Sequence, residues 1–85
     1  MTDLIAFHIY RTEVLDLKGE KYTVRFTKRN DQEEYALFAA NEPGTKSWRC
    51  FYSPEVAEDF KRSTGRELEE EVYAVLKGDI ERGLV

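Results

Sequence analysis

The side chains best suited to chemistry stand together in KSWRCFYSPEVAEDF, Lys46 to Phe60, which holds the single Trp and the single Cys of the chain. A thiol next to a guanidinium suggests a nucleophile, because a nearby cation favours the thiolate. The spacing argues against it. In an extended strand Trp48, Cys50 and Tyr52 share one face while Arg49 and Phe51 share the other, so cation and thiol are turned apart. Cys50 then reads as a small core hydrophobe.

His8, the only histidine, sits mid-strand between Phe7 and Ile9, the setting of a hydrogen-bonded structural residue rather than a base. One His and one Cys do not furnish the usual nitrogen and sulfur donors of a zinc site. The chain has no glycine-rich phosphate loop, no P-loop lysine, no HExxH and no nucleophile elbow. The expectation is a protein without catalytic residues, metal or cofactor.

Two binding surfaces remain. The first is acidic: Glu55, Glu58, Asp59, Glu67, Glu69, Glu70 and Glu71 fall in the C-terminal part, where residues 53–85 hold five basic residues against nine acidic ones and so carry the whole net charge of −4. Such a surface steers a basic patch on a protein partner. The second is basic and aromatic: Arg25, Lys28, Arg29, Lys46 and Arg49, with Tyr22, Phe26, Tyr35 or Trp48 near them. Aromatic rings on a sheet with flanking cations are what single-stranded nucleic acid uses. Asp31, Glu33 and Glu34 in the same turn oppose that attraction, as does the net acidity of the chain.

Elements that would position these residues follow from period. LIAFHIY alternates with bulk on both faces, which suggests a strand covered on both sides or central in its sheet. RTE at 11–13 then interrupts the pattern before Val14, Leu15 and Leu17, the mark of a bend, a bulge or a short turn, leaving one kinked strand or two. Gly19 separates this from KYTVRFTK, where Tyr22, Val24 and Phe26 alternate with Thr23, Arg25 and Thr27. KRNDQEE makes the next turn and YALFAA the next strand, with Ala36, Ala39 and Ala40 small enough for close packing. Pro43 and Gly44 suit the centre of a type II turn, and WRCFY is the last strand.

Helices come after the strands. Ser53 and Pro54 read as N-cap and first helical residue, with Val56, Ala57 and Phe60 as the buried stripe and an end near Gly65. TGRE, Thr64 to Glu67, reads as a capping box opening a second helix, whose Leu68, Val72, Val75, Leu76 and Ile80 recur at helical spacing. Gly78 suits either a cap or the helix interior.

The chain has 85 residues, 41% of them hydrophobic and 13% aromatic, enough for one core. The whole, 1–85, is expected to be a single α+β domain: an antiparallel meander of three to five strands within 4–52, then two helices within 54–82 packed on one face. A lone Cys points to a reducing compartment, and the start of the chain has neither signal-peptide pattern nor a run long enough to span a bilayer, so a cytoplasmic protein away from the membrane is expected. Its expected work is protein–protein binding or adaptor function through the acidic helices, self-association through an edge strand being compatible with it. Weak binding of single-stranded nucleic acid on the basic, aromatic sheet is the alternative.

Overall fold

Lys18 and Gly19 both hold positive φ, 53° and 77°. Two such residues make the primed turn that matches the twist of flanking strands, and they join β1, Phe7–Leu17, to β2, Glu20–Arg29. β3, Tyr35–Asn41, and β4, Ser47–Tyr52, complete an antiparallel meander in the order β1-β2-β3-β4, followed by helices α1, Pro54–Thr64, and α2, Leu68–Glu81. This computed structural model describes residues 7–29 and 34–85. The readings made for Leu4, Ile5 and Ala6, and for Asp31 and Glu33 in the KRNDQEE turn, lie outside the described residues.

One face of the sheet carries the core. Tyr22, Val24 and Phe26 of β2 and Leu37 and Ala39 of β3 pack against Val72, Tyr73, Leu76 and Ile80 of α2. Leu15 and Leu17 flank them from β1, and Trp48, Cys50 and Tyr52 from β4. Phe26 and Tyr73 meet edge to face at 5.4 Å, a geometry that aligns ring edge and ring face favourably. Trp48 is half-buried, and its indole N–H donates to Asp79 Oδ2 at 3.0 Å, so WRCFY is a core strand.

Several local expectations change. β1 is an edge strand, not a covered or central one: bulk on both faces of a strand does not require cover on both, and Ile9 and Val14 stay 54% and 60% exposed. The interruption at RTE is a register shift between Ile9 and Arg11 within one continuous strand. In the β3–β4 turn, Gly44 N–H donates to Asn41 O, which makes Glu42 and Pro43 the central pair and leaves Gly44, at φ 74°, in fourth place. Asn41 Oδ1 accepts from Lys46 N–H across that turn.

α1 begins as expected, with Ser53 Oγ accepting from Val56 N–H at 3.2 Å and Pro54 in the first turn, and ends at Gly65 with φ 74°. It has no buried residue, and Val56 is 53% exposed, so the expected buried stripe of Val56, Ala57 and Phe60 does not form; the main neighbour of α1 is α2. The capping box does not form either. Thr64 ends α1, donating its hydroxyl to Phe60 O, and Glu67 stands at the N-cap of α2 without a side-chain bond to the helix backbone. The core stripe of α2 uses Tyr73 and leaves Val75 exposed. Gly78 lies inside α2, which runs on to bury Ile80. Among the described residues no helix is long and apolar enough to cross a membrane.

Candidate functional site

Alternation along each strand sends every second residue to the sheet face opposite the helices. The register sets Arg25 opposite Phe38 and Phe38 opposite Arg49, a row across β2, β3 and β4. Beside it Thr27, Ala36 and Phe51 form a second row, and Phe7 and Ile9 arrive from β1. Three phenylalanines converge there. Phe7 and Phe38 are 5.3 Å apart between ring centroids, Phe38 and Phe51 5.7 Å, and Phe7 and Phe51 6.3 Å. The small residues beneath make room for them: Thr27 is 2% exposed and Ala36 wholly buried, although among the described residues no helix covers this side.

The cluster is nevertheless open to solvent, with Phe51 45% exposed. Arg25, Phe38, Ala40, Ser47 and Arg49, with Ala39 and Trp48 at its edge, line a groove of about 530 Å³ along the first row. Among the described residues Lys21, Arg25, Arg29 and Arg49 belong to this face, with Asp16 opposite Lys21 and Glu34 paired to Arg29, a positive surface on a chain whose net charge is −4. Arg11, Arg29, Arg62, Arg66 and Arg82 form ion pairs. Arg25 and Arg49 have none among the described residues. The other members of the expected basic set lie elsewhere: Lys46 sits at the turn, bonded to Glu20 at 2.7 Å, while Lys28 and Trp48 belong to the helix side. Tyr22 and Phe26 are in the core.

The acidic surface is largely neutralised from within. Arg11 Nη1 donates to Glu69 Oε2 at 2.8 Å and to Glu70 Oε2 at 2.6 Å. Lys61 meets Glu67 at 2.7 Å, Arg66 meets Glu71 at 3.0 Å, and Arg62 meets Asp59 at 2.9 Å. Glu55 and Glu58 have no ion pair among the described residues. Exposed pairs of this kind add little stability, but they reduce the charge left for a partner.

Behind the sheet end, His8, Tyr10, Tyr35, Tyr52, Leu68 and Glu69 help to line a cavity of about 660 Å³. Tyr35 and Tyr52 are stacked at 5.4 Å, and Tyr10 meets Tyr35 edge to face at 6.3 Å. Tyr10 donates its hydroxyl to Glu69 Oε1. Burial, reinforced by Glu69, pushes the Tyr10 phenol well above its ordinary value and pushes Tyr52 up to about 12. Burial likewise raises the Cys50 thiol. Burial thus favours the protonated form of each of these groups. Among the described residues no cluster of His, Cys, Asp and Glu is arranged to hold a metal ion.

The phenylalanine trio, Ile9 and Val14 were not candidates on the sequence. Period alone puts Phe51 beside Arg49's face, but joining them to Phe7 and Phe38 needs the strand register, which no local signal supplies. Tyr10, Tyr35 and Tyr52 converge for the same reason. Compared with family models, curated proteins and solved structures, the chain matches none.

Proposed function

We propose that this chain is a non-enzymatic binding domain that holds its partner on the face of the sheet opposite the helices. The observation that carries this reading is the row Arg25, Phe38, Arg49, in which two arginines that have no ion pair among the described residues flank an aromatic ring. A contiguous apolar patch with a charged rim is the usual sign of an interaction surface. The protonated phenols and thiol support the non-enzymatic part. A reducing, cytoplasmic setting agrees with a lone, half-buried Cys.

An adaptor acting through the acidic helices is the second reading, favoured by Glu55 and Glu58 on the exposed side of α1. It is the weaker one, because Arg11, Lys61, Arg62 and Arg66 already occupy the other carboxylates. A homodimer through β1 has less support, since the bulge and the inward Arg11 and Glu13 are devices that discourage edge pairing.

The test is affinity capture from cell lysate with two charge-reversal proteins, Arg25→Glu/Arg49→Glu and Glu55→Lys/Glu58→Lys. Loss of the retained component with the first pair alone is expected. Loss with the second pair alone would transfer the function to α1.

A further inference from the structure

We infer that the occupant of the sheet face opposite the helices is single-stranded nucleic acid, an inference that rests on the binding-face reading above and names its partner. Charge comes first: among the described residues Lys21 stands opposite Asp16 and Arg29 is paired with Glu34, while Arg25 and Arg49 on the same face have no ion pair, which gives an anionic chain two cations to approach. Geometry comes second. Neighbouring strands are about 4.8 Å apart, so Arg25 and Arg49 stand about 10 Å from each other with Phe38 between them. A base laid on that ring would have a cation within reach of the backbone on either side. Phe51, 45% exposed, and its neighbour Phe7 continue the apolar surface for the next base. Bases of any sequence suit such rings, because every base offers a π-face.

Other occupants fit less well. A second copy stacked face to face would bring Arg25 and Arg49 of both chains together, like charge against like. An acidic peptide would satisfy the arginines but has no use for three phenylalanines.

Fluorescence anisotropy of a labelled oligothymidylate of about 20 nucleotides, with oligouridylate of the same length as a parallel probe, tests the inference. Two phosphate contacts on a single strand imply a loss of affinity of about sevenfold between about 50 and about 200 mM salt. Arg25→Ala/Arg49→Ala should weaken binding at least about tenfold and flatten that salt dependence, since both neutralised phosphates are lost. Phe51→Ala should weaken it at least about fivefold through lost stacking.

Polyglutamate of matched length serves as the control polyanion. Equal affinity for polyglutamate, with Phe51→Ala without effect, overturns nucleic acid as the partner while leaving the face itself in place. Absence of oligonucleotide binding, or binding indifferent to the arginine pair, also overturns it. The binding-face reading fails separately, when the capture experiment depends on Glu55 and Glu58 instead.

Discussion

Tyr10 and Arg11 are neighbours in one strand, yet both reach the same carboxylate: the Tyr10 hydroxyl donates to Glu69 Oε1 and Arg11 Nη1 to Glu69 Oε2. Regular alternation would send them to opposite faces. The register shift between Ile9 and Arg11 removes one step of that alternation and turns both toward α2. Arg11 also lies 4.2 Å from the centre of the Phe26 ring and 5.7 Å from that of Tyr73, so a single side chain joins the edge strand, the core and the start of α2. This clamp consumes Glu69 and Glu70 of the acidic surface that otherwise looks available to a partner.

Replacing Arg11 should therefore cost more than an ordinary surface substitution. Arg11→Met removes the charged hydrogen bonds and the cation over Phe26, and a loss of about 1–2 kcal/mol is expected in urea unfolding. Arg11→Lys should recover only part of it, because an ammonium cannot reach Glu13 and the Glu69–Glu70 pair at once as Nε and Nη1 of the guanidinium do. No difference between wild type and Arg11→Met would remove the clamp from the forces holding α2.

Alkaline pH should weaken the fold through the phenols. Tyr10 and Tyr52 are harder to ionise in the folded protein, where burial and Glu69 disfavour the phenolate. The folded state thus holds protons that the unfolded chain releases. Their contribution is complete below the ordinary value of 10.0 and is lost as pH rises through about 12 for Tyr52. Urea midpoints should fall over that interval, and Tyr10→Phe/Tyr52→Phe should fall less. Absorbance of tyrosinate on titration should show phenols that ionise only as the chain unfolds.

Cys50 should react slowly. It is half-buried, burial raises its thiol, and Arg49 belongs to the opposite face. A disulfide reagent is expected to label the native protein many times more slowly than the urea-unfolded chain. Equal rates would make Cys50 an accessible, activated thiol.

Asp79 should report on Trp48. Asp79→Ala leaves the indole N–H of Trp48 without its acceptor, which should shift its fluorescence to the red and cost about 1 kcal/mol.

Much of this architecture is legible in the sequence because its signals are local. Gly19, the alternation of Tyr22, Val24 and Phe26, the Ser53-Pro54 start and the Gly65 stop each depend on a few adjacent residues. What is not legible depends on pairing at a distance. Bulk on both faces of β1 suggested cover, and only the strand order makes it an edge. The spacing of Thr64 and Glu67 suggested a capping box, but Thr64 is still part of α1. For the site, period separates Arg49 and Phe51 from Trp48 and Cys50, while the row that joins Arg25, Phe38 and Arg49 exists only once three strands are in register.

The most direct measurement is a map of backbone amide chemical shifts in the isotopically labelled protein as an oligothymidylate is added. The expected result is a contiguous set of shifts over Arg25, Thr27, Ala36, Phe38, Arg49 and Phe51, absent in Arg25→Ala/Arg49→Ala. Shifts confined to α1 and α2, or none in β2, β3 and β4, would contradict it.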